Sequence, residues 1–215
     1  MKTLSQSFQI KTCRGCAKEN DCPNSLGIDH LLIEKIKQAI SQSKWPEFLK
    51  TQVKFPPKAH QQFRISISGC ANACSQPQIV DFGLIRAIIP ILDKDKCSQC
   101  KKCINYCEEQ AITLENNYPA FNFQKCLGCG KCWRECPENA IFKKQDGFRI
   151  LIGGKLGRHP RLAQELPVIL STEKSIELLI KILEFYQKHY QKGKRLGDLL
   201  HISDFNELML CQENG

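Results

Sequence analysis

Cysteine is the residue most able to do chemistry in this chain, with fourteen copies in 215 residues. Eight of them fall into one spacing used twice. Cys97, Cys100, Cys103 and Cys107 form a C-x2-C-x2-C-x3-C run, and Cys126, Cys129, Cys132 and Cys136 repeat it. In such runs three close thiolates wrap one [4Fe-4S] cubane, and the fourth reaches across to the neighbouring one. The spacing therefore predicts one cluster on Cys97, Cys100, Cys103 and Cys136, and a second on Cys126, Cys129, Cys132 and Cys107. Zinc also takes pairs of C-x2-C, but the duplicated x2, x2, x3 pattern fits zinc poorly. Disulfides belong to oxidising compartments, and nothing in the chain points to export.

A second constellation joins Cys16-x5-Cys22 to Cys70-x3-Cys74. Four thiolates from two segments suit a third cubane, and Gly69 permits a tight turn before the second pair. Cys13 stands in the same C-R-G-C stretch as Cys16, and either can be the first ligand. Cys16 is preferred because it alone gives the x5 spacing. Cys211 has no nearby cysteine and reads as a small buried or free residue.

These groups need elements to position them. Ile28, Leu31, Leu32, Ile36 and Ile40 recur at helical spacing. The following WPEFLKTQVKFPPK is broken by prolines and reads as a connection. FRISIS, residues 63–68, alternates as a strand and runs directly into GCANAC. A second strand over 81–89 ends at Pro90. Thr113–Gln124 reads as a hairpin-like link between the two cysteine runs. FRILI, 148–152, is a further strand, followed by a glycine-rich loop over 153–160. Residues 172–191 form a helix with Ile176, Leu179, Ile180, Leu183 and Tyr186 on one face. Ser203 can cap a short last helix from Asp204.

The cysteine runs are an internal repeat, KCSQCKKCINYCEEQAI (96–112) against KCLGCGKCWRECPENAI (125–141). They resemble two-cluster bacterial ferredoxins over about 50 residues, with Glu108 where the second run has Pro137. The rest carries a more specific resemblance. C-x5-C followed by SGCANACSQPQIVDFGLI, and later GFRILIGGKLGRHP, is similar to the siroheme and [4Fe-4S] region of sulfite and nitrite reductases. Dissimilatory and anaerobic members insert a two-cluster unit at this place. The resemblance covers roughly residues 13–200.

That resemblance implies several things. Cys16, Cys22, Cys70 and Cys74 would ligate a cubane, and Cys74 would also bridge to a siroheme iron as its axial thiolate. Asn72, Gly153, Gly154 and Arg158 match positions lining that cofactor. Electrons would pass from the ferredoxin clusters to the third cluster and on to siroheme, where sulfite or nitrite is reduced. The expected fold is α+β: a mixed sheet with helices over 1–92 and 147–215, with a ferredoxin unit over 93–146 projecting from it. The family usually places another half-domain before the first cysteine pair, and only twelve residues precede Cys13. A separate subunit or a second copy would then supply the cationic groups around the substrate anion. The other reading is an electron carrier with three clusters and no siroheme.

Composition bounds these readings. The formal charge is +9. Three clusters at about two negative charges each, counting their thiolates, offset most of it, so nucleic acid is not expected as a partner. Lys94, Lys96, Lys101, Lys102 and Lys125 would attract an acidic electron-donor protein. There is no apolar run long enough for a membrane span and no leader-like start, so a cytoplasmic location is expected. His159 reads as a loop histidine, and Trp133 as packing over a cluster.

Overall fold

The computed structural model describes residues 6–17 and 22–201. A five-stranded mixed sheet runs through it, in the order β1 (Phe8–Thr12), β2 (Phe63–Ser68), β3 (Phe82–Leu92), β6 (Ile141–Ile152), β7 (Gln164–Leu170). A hairpin, β4 (Ile112–Glu115) with β5 (Tyr118–Phe121), stands apart from it. β1, β2 and β3 are parallel neighbours, whereas β3–β6 and β6–β7 are antiparallel.

Period-2 alternation decides which face of the sheet is dry. Phe63, Ile65 and Ile67 of β2, Phe82 and Leu84 of β3, and Phe148, Ile150 and Ile152 of β6 all enter one core. Helices α1 (Leu31–Gln42), α2 (Trp45–Gln52) and α5 (Thr172–Lys188) cover that face through Leu32, Ile36, Ile40, Trp45, Leu49, Leu178, Leu179, Ile182 and Leu183. Ser171 caps α5 by accepting the Lys174 N–H at 3.2 Å. A short helix, α6 (Leu196–Leu199), the last among the described residues, buries Leu196 in the same core.

Several expected elements differ in extent. The stretch read as a connection contains α2, because Pro46 sits in the first turn, where its missing N–H costs nothing. Trp45 is fully buried and stacks on Tyr186 at 5.3 Å. β3 continues through Pro90. Its pairing with β2 stops at Ile85, and a register shift against β6 lies at Ile89/Pro90. Pro90 thus occupies an irregular place on a strand with one neighbour, where proline is tolerated. β7 was not expected. It is an edge strand, and its Pro167 lies where the register against β6 shifts. Leu31, placed on the buried face of the first helix, is 60% exposed. The cap at Ser203 and the helix after it lie outside the described residues, as does Cys211.

The duplicated cysteine runs show the same backbone twice. α3 (Lys102–Asn105) and α4 (Lys131–Arg134) occupy matching places. Left-handed residues recur as Gln99 and Gly128, Lys101 and Gly130, and Gln110 and Asn139. β6 begins at Ile141, directly after the second run, and continues without a break past residue 147.

Candidate metal centres

Parallel pairing positions the first cysteine group. Thr12 at the end of β1 faces Ile67 near the end of β2, so both strands release their cysteine loops at the same end of the sheet. The Cys13 N–H continues the ladder to the Ile67 carbonyl at 3.1 Å. A 3-10 turn, Arg14–Cys16, follows. Gly15 accepts the Ser25 hydroxyl at 2.7 Å, and Leu26 donates to the Gly69 carbonyl at 2.9 Å. A Cβ at Gly69 would stand 2.6 Å from Ser25 Oγ and 3.0 Å from the Gly15 carbonyl oxygen. Only glycine lets the segments bearing Cys16, Cys22 and Cys70 close this tightly.

The Cys70–Cys74 loop is tied back onto β2 by serines, which sequence reasoning did not single out. Ser66 Oγ donates to the Ser75 carbonyl at 2.7 Å, Ser68 and Ser75 hydroxyls lie 2.6 Å apart, and the Ser75 N–H reaches Ser68 Oγ at 3.3 Å. All three serines are buried. The signal was present in FRISIS, whose polar positions sit on the face opposite the helices and must be satisfied there. Cys70 is buried and Cys74 exposed. Burial pushes the Cys70 thiol up, the Asn72 N–H opposes this, and Cys22, Cys13 and Cys74 raise it further. Burial also pushes Cys16 up to about 12, with Cys13 adding to the rise.

The duplicated runs bring their sulfurs close enough to act on one another. Cys97, Cys100, Cys103 and Cys136 line one cavity together with Leu92 and Pro119. Burial raises the Cys103 thiol, and Cys100, Cys136 and Cys97 are the sulfurs that raise it further. Cys126 is raised by burial and by Cys129 and Cys107, with the Gly128 N–H and Arg149 opposing. Burial drives Cys132 to about 12, and Cys126 and Cys129 add to it. Grouped thiols that resist ionisation alone are what a cationic iron centre would turn into ligands. Backbone N–H groups already point at three of these sulfurs: Ala111 to Cys107 at 3.3 Å, Gly128 to Cys126 at 3.4 Å and Ala140 to Cys136 at 3.3 Å. Four thiols lining one apolar cavity, with an N–H donor to Cys136, fit a cubane at the first set, and mutually interacting thiols with N–H donors to Cys107 and Cys126 fit one at the second. Trp133 packs beside Cys103, Ile112 and Ile141, with the Lys143 ammonium 4.3 Å from its ring centre.

The remaining predicted residues are less convergent. Asn72 and Arg158 are exposed, as is His159. Gly153 and Gly154 are buried against protein. A Cβ on Gly154 would stand 2.4 Å from the Gln78 carbonyl oxygen, and one on Gly153 3.2 Å from Gly197 Cα. These glycines therefore have a packing reason for being glycine. Lys155 is committed to an ion pair with Asp198 and Arg195 to one with the buried Asp81, which Arg64 meets only through its backbone N–H. Among the described residues, the cationic side chains near the glycine-rich loop thus serve partly as structural ties.

Residues 10–213 match the family described as nitrite and sulphite reductase 4Fe-4S domain. The coenzyme F420-dependent sulfite reductase of Methanocaldococcus jannaschii is 38% identical over 137 residues, covering 64% of this chain and 22% of that protein. The protein MJ0551 of the same organism is 29% identical over 140 residues, 65% of this chain and 48% of its own length. The chain spans less than half the length of these curated relatives. The crystal structure of dissimilatory sulfite reductase I superposes with a TM-score of 0.60 at 16% identity, covering 93% of this chain and 51% of that one. That superposition carries the fold alone.

Proposed function

The chain belongs to the nitrite and sulphite reductase 4Fe-4S domain family, and from that premise we propose that it is the iron–sulfur part of a sulfite or nitrite reductase. It would hold three [4Fe-4S] clusters, two on the crossed sets of the duplicated runs and one on the cysteines at the ends of β1 and β2. The observation that carries this reading is the grouping of cysteines from separate segments, with backbone N–H groups directed at their sulfurs. Such clusters supply one-electron transfer. In this reading 93–146 acts as an inserted ferredoxin unit, and the flanking segments form the reductase-like body.

The part nearest the reductase reaction is Cys74. Its loop is pinned by the serine ties, and its exposure leaves room for a siroheme whose iron it would bind. Asn72 and Arg158 are the exposed residues suited to that cofactor's carboxylates. The likeness to the coenzyme F420-dependent sulfite reductase of M. jannaschii supports sulfite as the anion. Reduction of such an anion needs positive charge and proton donors around it. A further polypeptide segment or subunit would supply these, because Lys155 is already engaged. The exposed Lys94, Lys101, Lys102 and Lys125 would receive an acidic electron donor on the ferredoxin side. Among the described residues no helix is long and apolar enough to cross a membrane.

A second reading keeps the three clusters as an electron carrier without siroheme. It is favoured by the packing account of Gly153 and Gly154, which needs no cofactor. Anaerobic purification with iron analysis and a visible spectrum separates the two. About thirteen irons with a siroheme band is the expected result. About twelve without it would leave the carrier, and about eight would remove the third cluster.

A further inference from the structure

Two cysteines compete for the first position of the third set. We propose that Cys13 is the ligand, and that Cys16 is a fifth, non-ligating thiol held behind it. The set then becomes Cys13, Cys22, Cys70 and Cys74, with eight residues inside its first pair. This rests on the reading that a third cluster is bound here.

The first argument is what each sulfur faces. A cluster-bound cysteine is a thiolate. It has no proton to give, and its sulfur accepts hydrogen bonds that tune the centre. Cys13 Sγ accepts the Gly69 N–H at 3.2 Å. The same arrangement occurs at Cys107, Cys126 and Cys136, which belong to the duplicated runs. Cys16 Sγ is turned instead toward an acceptor, the Ile67 carbonyl, at 3.4 Å. A thiol S–H can donate there. A thiolate would meet the oxygen lone pairs with like charge.

The second argument is placement. Cys13 is the first residue beyond β1 and bonds across to Ile67 of β2. Its donor Gly69 immediately precedes Cys70. Cys13 and Cys70 therefore leave adjacent parallel strands side by side. The 3-10 turn carries Cys16 inward, where it is 8% exposed and belongs to the main apolar core. Cys13 stays partly exposed at the margin of that core.

The third argument concerns the longer spacing. Eight intervening residues do not part Cys13 from Cys22, because the turn folds back onto the Cys22 segment. A Cβ at Gly15 would lie 3.5 Å from Cys22 Cβ and 3.0 Å from Ser25 Cβ. Cys16 Sγ then stands 3.5 Å from Cys13 Sγ, a neutral thiol beside a ligating sulfur.

Cys16→Ala and Cys13→Ala, each in the full chain, test this. Iron and acid-labile sulfide would be measured after anaerobic purification, with low-temperature electron paramagnetic resonance of the reduced proteins. Wild type and Cys16→Ala should both hold about twelve cluster irons, matched by acid-labile sulfide, and Cys13→Ala should lose about four. Circular dichroism checks that Cys13→Ala is folded. If it is not, Cys16→Ala decides alone, since alanine replaces a buried small residue there. Wild type at about twelve with Cys16→Ala at about eight would overturn the inference and leave the third cluster standing. Wild type at about eight would overturn the third cluster and the inference with it.

Discussion

A methyl group at Gly154 would stand 2.4 Å from the Gln78 carbonyl oxygen and 2.9 Å from Ile79 Cα. Both atoms are backbone, in or beside the 3-10 turn Pro77–Ile79 that follows the Cys74 loop. Gly154 therefore sets how closely β6 can deliver its following loop against that turn. Gly154→Ala should cost about 1–3 kcal/mol of unfolding free energy, the usual range for overpacking. Denaturant unfolding of the metal-free protein would check this, and an unchanged midpoint would remove the packing role. The cysteines themselves were legible in sequence because a cluster motif is a local spacing. The choice between Cys13 and Cys16 was not, since it depends on which sulfur the β1–β2 pairing leaves facing an N–H. The serine ties were equally hidden, because Ser75 meets Ser66 and Ser68 only once the loop folds back.

At the scale of elements, α1, β2 and α5 were readable from apolar period alone, because each has one dry face. The elements that escaped carry proline or are short. Pro46 in α2 and Pro90 in β3 read as breaks, yet they and Pro167 in β7 sit where the missing N–H is not needed. α6 is four residues long and depends on tertiary ties rather than periodicity. Its anchor is Asp198, which pairs with Lys155 and accepts the Arg195 N–H at 3.0 Å. Burial pushes the Asp198 carboxyl up, but Lys155 and the Arg195 N–H outweigh it and hold the group below its ordinary value of 3.8. A depressed carboxyl stabilises the fold above that ordinary value, and the gain is lost as pH falls through the folded-state value. Asp198→Ala should cost about 1–3 kcal/mol at neutral pH, and Asp198→Asn less, since an amide oxygen can still accept the cap. Both differences should shrink on acidification. Thermal unfolding across pH would show it, and a pH-independent gap would argue against the ion pair.

Across the whole molecule, the question is how the second cysteine run meets the group at the ends of β1 and β2. The contact is specific. The Arg134 guanidinium donates to the Pro23 carbonyl at 2.8 Å and to the Ser25 carbonyl at 3.4 Å. Ile88 of β3 donates to the Gly128 carbonyl at 3.0 Å, and Arg149 of β6 reaches the Leu127 carbonyl at 3.4 Å. Gly130, left-handed at φ 70°, sits so close to Leu26 that a Cβ would approach its Cδ2 to 2.6 Å. The run carrying Cys126, Cys129 and Cys132 is therefore the one seated against the Cys22 segment. The run carrying Cys97, Cys100 and Cys103 lines its cavity together with exposed Lys101 and Lys102. Under the proposed three-cluster reading, electron transfer weakens with separation, so this seating would serve function more than stability. Arg134 is exposed, and its loss should cost only about 1 kcal/mol overall. Its effect should instead be local. Arg134→Ala should speed amide hydrogen exchange at Ser25 and Leu26 relative to the core strands, with iron content unchanged. Exchange followed by mass spectrometry on the cluster-loaded protein would measure it. Unaltered protection across 22–27 would mean that the glycine contacts alone hold the two parts together, and Gly130→Ala would then be the substitution that loosens them.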